Sequence, residues 1–215
     1  MRPRHAITAL VVTALLAGCA GAAWSDSQAA PPPVGTLGPG FEPSTPPSPE
    51  ATIAPSPGSW DEVHPSAGYR VVLLTAGDEK PTLALGAAVR QWAEEERVEL
   101  RTITATGDPV DAIVDAIELN PDLIVSAGNG LIDPLAVVTA NHLDQQFLVV
   151  GAEVAEPTQN VTAVDWTGAS FRGEGLGASS DYDPSSFTEE RCAAAVRAGV
   201  AAVLNDLTGI VLWID

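Results

Sequence analysis

Carboxylates and glycines are the residues best placed to do chemistry in this 215-residue sequence. They fall in three short loops, each closing an apolar run: Ala76-Gly77-Asp78-Glu79-Lys80, Ala127-Gly128-Asn129-Gly130 and Gly151-Ala152-Glu153. Gly128-Asn129-Gly130 would let a backbone approach a ligand closely and leave helix N–H groups free to meet it. Asp78, Glu79, Asp133 and Glu153 could accept hydrogen bonds or face a cation. These seven residues, Asp78, Glu79, Gly128, Asn129, Gly130, Asp133 and Glu153, form the candidate ligand-binding set. The plain alternatives are a tight turn for the glycines and helix caps or solvated faces for the carboxylates.

Familiar catalytic signatures do not fit. Asp133 stands where a dinucleotide fingerprint needs a third glycine, and Lys80 follows no Gly-x4-Gly run of the phosphate-loop kind. Gly168-Ala169-Ser170-Phe171-Arg172 lacks the second glycine of a nucleophile elbow. After the first residues the only histidines are His64 and His142, and neither has a nucleophile nearby in sequence. No catalytic residue, metal site or cofactor is assigned, and a binding protein is expected rather than an enzyme.

Loops of this kind need a sheet to hold them, and the sequence from Gly68 onward supplies one. Short β-rich runs alternate with helical patterns, the signature of a parallel α/β sheet. Val71-Val72-Leu73-Leu74 precedes a helix carrying Leu85, Val89, Trp92 and Ala93, with Glu94-Glu95-Glu96 on its solvated side. A strand over 100–106 leads to Asp108-Pro109, an N-cap followed by proline at the first helical position. Leu123-Ile124-Val125 leads in the same way to Asp133-Pro134 and a helix with Leu135, Val138 and Leu143. Strands over 147–150 and 161–166 follow, then a Gly/Ser/Asp-rich loop over 168–186. A helix with Val196, Val200, Val203 and Leu204, opened by a Ser186/Glu189 capping box, and a sixth strand over 210–214 complete the pattern. In an open parallel sheet, ligands sit beyond the carboxyl ends of the strands near the switch in strand order, which selects the three loops above.

Before Gly68 the character is different. Proline supplies eleven of the 35 residues from Pro31 to Pro65, with almost no apolar periodicity. Such a composition predicts a disordered, partly polyproline stalk whose extended limit of about 3 Å per residue would hold the domain tens of ångströms from its point of attachment. The expected division is therefore 1–18, 19–67 and 68–215.

The attachment is read from the first residues. Arg2 and Arg4 precede an apolar run from Ala6 to Ala17, the layout of an export signal and shorter than the roughly 20 residues of a membrane span. Leu16-Ala17-Gly18-Cys19 resembles the lipobox of bacterial lipoproteins, which implies acylation of the Cys19 thiol, removal of residues 1–18, and a place on the extracytoplasmic face of the cell membrane. More than one acyl chain is needed for stable anchoring, and a diacyl or triacyl cysteine would supply it. Cys192 is then the only thiol left for the fold, so no internal disulfide can form; its alanine-rich helical setting predicts a small buried hydrophobe.

The chain has 28 Asp and Glu against ten Lys and Arg, and loss of Arg2 and Arg4 leaves eight, a formal charge of −20. That field repels nucleic acid and anionic head groups, so nucleic-acid partners are not expected.

The stretch Pro121-Asp122-Leu123-Ile124-Val125-Ser126-Ala127-Gly128-Asn129-Gly130-Leu131-Ile132-Asp133 resembles the BMP family of basic membrane lipoproteins. Phe147-Leu148-Val149-Val150-Gly151, Gln159-Asn160-Val161-Thr162-Ala163-Val164 and Ala169-Ser170-Phe171 are similar to later segments of the same family, and Gly77-Asp78-Glu79-Lys80 with Leu85-Gly86-Ala87 to an earlier one. The resemblance spans roughly 69–176. It implies a flavodoxin-like lobe of the type 1 periplasmic-binding-protein fold, a nucleoside-type ligand, and an ABC permease as partner. Departures are equally plain: Pro81 and Thr82 replace the expected Phe and Asn, Gly151 replaces an acidic residue, and only one of the family's two lobes is present. A homodimer would restore a two-sided cleft. The alternative is a one-lobe scaffold at the cell envelope that recognises a protein or wall component.

Overall fold

The computed structural model describes Trp24 and Gln28–Ile214. Cys19 and the export signal lie outside the described residues.

Seven parallel strands form one sheet in the order β1-β7-β6-β5-β4-β2-β3. They are β1 (Thr52–Ile53), β2 (Arg70–Ala76), β3 (Glu99–Ala105), β4 (Leu123–Ala127), β5 (Phe147–Val150), β6 (Val161–Asp165) and β7 (Val211–Trp213). The central strands are unbroken apolar runs because helices cover both faces and leave no wet side to alternate toward. Parallel neighbours also need long crossovers, which here are α1 (Lys80–Glu96), α2 (Pro109–Glu118), α3 (Ile132–Val138) and α4 (Glu189–Leu204). Leu85, Val89 and Trp92 of α1 and Val196 and Val200 of α4 pack on one face. Ile113 and Ala116 of α2 and Leu135 of α3 pack on the other. Gly199 lets α4 approach the sheet, since a Cβ there would lie 2.6 Å from Leu148 Cδ1 and 2.7 Å from Val164 Cγ2. Among the described residues, no helix is long and apolar enough to cross a membrane.

The stretch expected as a disordered stalk is part of this fold from about residue 28. Thr52–Ile53 pairs with Val211–Leu212 as the edge strand β1, and Val34 bridges His64 in antiparallel fashion. Phe41, Ile53, Trp60 and Val63 are buried in the same core as α1 and α4, and the Phe41 and Trp60 rings meet edge-on at 6.4 Å. The physical reason is that a few large rings at wide, irregular spacing bury much apolar surface without showing any period. His64 Nδ1, 3.0 Å from Glu96 Oε2, ties this strap to α1, and Arg197 of α4 pairs with Glu95 and Glu96. Glu95 and Glu96, expected to be simply solvated, thus link three elements.

Two helix starts also differ from expectation. Asp108 caps α2 as expected, its Oδ1 accepting from Val110 N at 2.9 Å. The α3 N-cap, by contrast, is Leu131, so Asp133-Pro134 falls inside the first turn. Leu143 lies beyond that helix and is exposed. Thr188, not Ser186, caps α4, accepting from Arg191 N at 3.2 Å, because Ser186 Oγ is engaged by the Trp166 indole. Cys192 is fully buried, and burial pushes its thiol up to about 11.

Candidate functional site

The strand order reverses at β2. From it the chain steps outward to β3, then returns to β4 on the opposite side and continues away. The helices that follow β2 and β4, α1 and α3, pack on opposite faces of the sheet, and ligands of such sheets bind in the crevice beyond the carboxyl ends at this switch point, beside the loops after β2 and β4.

These two loops are fitted to each other through glycine. Gly128 has φ +83°, and a Cβ there would sit 2.9 Å from Thr82 Oγ1. Its N–H donates to Val150 O at 2.9 Å. A Cβ on Gly130 would lie 3.1 Å from the Ala76 Cβ. The glycines therefore serve both close packing and a turn, and they bring Asn129 and Gly130 beside the exposed Gly77-Asp78-Glu79 loop. Thr82 and Ala76, which complete the fit, were not in the sequence-derived set; nothing in their types marks them.

Asp133 and Glu153 go elsewhere. Asp133 Oδ1 accepts from Glu174 N at 3.0 Å. Glu153, 7% exposed, faces Arg172, whose Nε is 3.0 Å from its Oε1. This is an ion pair whose N–H points off the line of a hydrogen bond. Burial raises the Glu153 carboxyl above its ordinary range and the Arg172 charge opposes that rise. With Glu50, Glu156 and Arg172 it lines a separate cavity of about 210 Å³. The candidate set is thus five residues around the crevice and two at its flanks.

What joins these flanks is the loop over 167–188, which runs along the carboxyl rim. Its Phe187 ring packs on Trp166 at 4.9 Å between centroids and fills the space over Gly151, where a Cβ would be 2.8 Å from the ring. The Tyr182 ring lies 5.9 Å from that of Phe187, tilted by 57°; its phenol is pushed up by burial and by the charge of Glu79.

The loop is pinned from below by Asp165, the fully buried last residue of β6. Asp165 Oδ1 accepts from Trp166 N and Ser170 N, both at 2.8 Å, while Oδ2 is buried with no partner. Burial raises its carboxyl from 3.8 to about 6; the two backbone donors oppose this and the charge of Glu153 adds to it. An acidic residue closing an otherwise apolar strand was the available signal for Asp165. A larger cavity of about 390 Å³ lies away from the crevice, at the ends of β1 and β7, lined by Pro55, Trp60, Arg191 and Trp213 among others.

No protein-family model and no curated protein matches the chain. Among solved structures, it is similar to ABC transporter solute-binding proteins from Aeropyrum pernix K1, with 21% identity, a TM-score of 0.40, and 46% of this chain aligned to 29% of that one. A fragment described as a lipoprotein, from Peptoclostridium difficile 630, aligns at 15% identity and TM-score 0.45 over 65% of this chain and 99% of that one. An ABC transporter solute-binding protein from Conexibacter woesei DSM 14684 aligns at 17% identity and TM-score 0.38 over 46% and 35% of the two chains. The chain thus spans about a third of the length of the two solute-binding proteins it matches.

Proposed function

We propose that this chain is an extracytoplasmic binding protein, held at the outer face of the cell membrane by lipid on Cys19, whose working end is the crevice between β2 and β4. The observation that carries the reading is the mutual fit of the two crevice loops through Gly128 and Gly130 at the point where strand order reverses. The ligand class is a small molecule of nucleoside type, as the BMP resemblance implies, with an ABC permease as the receiving partner. Backbone N–H groups of the Gly128 loop and the carboxylates of Asp78 and Glu79 would serve the hydroxyls and amino groups of such a ligand.

A thermal-shift series on the mature chain with purine nucleosides tests this. A ligand at 100 times its Kd stabilises by about 2.7 kcal/mol, a rise in Tm that is easily read. Gly130→Val, which sets a branched side chain against Ala76, should remove the rise. No shift with any nucleoside would end the nucleoside reading.

A second reading is favoured by the rim loop. Residues 167–188 fold back onto Gly151, Asp133 and Glu153 along the carboxyl rim of the sheet. Most of a ligand's surface is normally enclosed by its pocket, and a rim finished by its own chain suits a larger partner. On this reading the exposed carboxylates of Asp78 and Glu79, with Tyr182 close enough to feel the Glu79 charge, recognise an envelope protein or wall component. Recovery of such a partner by crosslinking from Asp78, with no nucleoside shift, would decide for it.

A further inference from the structure

The described chain begins with a contact that bears on how the lobe is carried. Trp24 is only 8% exposed, and its indole N–H donates to Glu99 Oε2 at 2.6 Å. The Arg101 guanidinium lies 4.2 Å from its ring centroid and that of Arg70 5.9 Å. Its ring joins the core cluster of Val72, Leu74 and Ile113. Four residues further on, Gln28 Nε2 donates to Gly68 O at 3.1 Å and reaches Asp122 Oδ2 at 3.4 Å. Arg70 and Glu99 open β2 and β3, and Asp122 immediately precedes β4. The hydrogen bonds therefore lie at the amino end of the sheet, opposite the candidate crevice, with the arginines and the apolar neighbours of Trp24 in the adjoining half of β2 and β3.

Five residue steps separate Cys19 from Trp24. At no more than about 3.6 Å per residue they span at most about 18 Å, far less than a free stalk reaching to Gly68 would. Three of the eight basic side chains that follow Cys19 are Arg70, Arg97 and Arg101. They gather here, with Arg97 ending α1 two residues before Glu99. Glu99 and Asp122 stand among them, so this face is of mixed charge rather than uniformly acidic.

We propose that Trp24 fastens the lipid tether to the β2–β3 edge, so that the amino end of the sheet is held against the membrane surface and the candidate binding rim faces away from it. The inference rests on acylation of Cys19, as argued under the proposed function. Strands rise about 3.3 Å per residue, so the rim stands roughly 20 Å further from the lipid than the seat of Trp24. A crevice so directed meets solutes or partners arriving from outside, and the lobe would have to release Trp24 to present its ligand to a permease in the membrane below.

The test uses the full acylated chain, with Cys192→Ala, in phosphatidylcholine/phosphatidylglycerol vesicles whose head groups carry a nitroxide quencher. A fluorophore is placed either at Glu118→Cys, beyond the amino end of β4, or at Leu176→Cys, on the exposed rim loop. Quenching at 118 should exceed that at 176 several-fold, and Trp24→Ala should bring the two close to equality. A Gly/Ser insert of about ten residues between Gly21 and Ala22 adds roughly 17 Å of slack and leaves Trp24 and Gln28 in place, and it should abolish the asymmetry as well. Equal quenching at the two labels in the acylated parent chain, or an asymmetry that survives the insert, would overturn the tether while leaving the anchor intact. A chain recovered with Cys19 unmodified and free of the vesicles would overturn the anchor and the tether together.

Discussion

Two segments of this chain lack regular apolar patterning, the Pro-rich strap over 28–67 and the Gly/Ser-rich loop over 167–188, and they are held in opposite ways. The strap is fastened by large side chains, with Phe41, Ile53, Trp60 and Val63 sunk into the core beside α1 and α4. The loop is fastened mostly by polar contacts, from Asp133 to Glu174 N, from Glu153 to Arg172, and from Asp165 to Ser170 N. Only its last residues, Ser186 and Phe187, are buried in the run from Glu174 onward. Hydrophobic fastening stabilises the whole domain, whereas an exposed polar contact such as Asp133 with Glu174 N holds the outer part of the loop at little net gain, the buried Asp165–Ser170 bond belonging with the core. The strap should therefore unfold with the core and the loop before it.

Phe41→Ala gives the largest expected effect. Removing a fully buried phenylalanine should lower unfolding stability by about 3–5 kcal/mol, measured by urea denaturation as a fall in midpoint with the slope unchanged. If the strap were a spacer after all, the loss would be within about 0.5 kcal/mol.

Asp165 offers the next largest effect, because it underlies the loop yet sits in the core. Its folded carboxyl lies near 6 against an ordinary 3.8, so between those values the folded state holds a proton that the unfolded chain has lost. The sign follows: its contribution is fully present below pH 3.8 and is lost as pH rises through 6. The loss is roughly 1–3 kcal/mol. Asp165→Asn keeps an acceptor for Trp166 N and Ser170 N and carries no charge. It should be more stable than the parent at neutral pH and show a flatter stability profile through this window, which denaturation at a series of pH values would check. A parent profile that rises through the window would contradict the assignment.

Arg172→Ala should cost least. The pair with Glu153 is 40% exposed on the arginine side and 9% on the glutamate side, so its loss should cost about 1 kcal/mol, the Glu153 carboxyl, already raised by burial, taking up a proton more readily. Tm should barely change, but limited proteolysis should cut within 167–188 faster than in the parent. Faster cutting within 28–67 instead would reverse the contrast drawn between the two segments.

The central architecture is legible in the sequence because β2 and β4 through β7 are continuous apolar runs, and the helices between them carry their apolar residues at helical spacing. Asp108-Pro109 starts α2 as its types suggest. The edge strand β1 is not legible, since Thr52–Ile53 is two residues long and its pairing with β7 depends on a partner about 160 positions away. Composition misleads over 28–67 for a related reason: proline-rich chain is stiff, but nothing in a proline count shows that rings at positions 41 and 60 meet in one core. At the site, the glycines after β4 are readable from their place in the loop. Thr82, Ala76 and Phe187 are not, because each acts through the space it fills. Asp133 and Glu153 look equivalent to Asp78 and Glu79 in sequence and separate only when the rim loop takes them as its own partners.

The claim that most needs testing is that the β2–β4 crevice is the working end. Amide NMR spectra of the mature chain, recorded during titration with a purine nucleoside, test it directly. Saturable shifts should concentrate at Gly77–Glu79 and Gly128–Gly130, with the strap over 28–67 unmoved. Shifts that cluster instead around Trp60, Arg191 and Trp213, or that appear nowhere on the lobe, would contradict it.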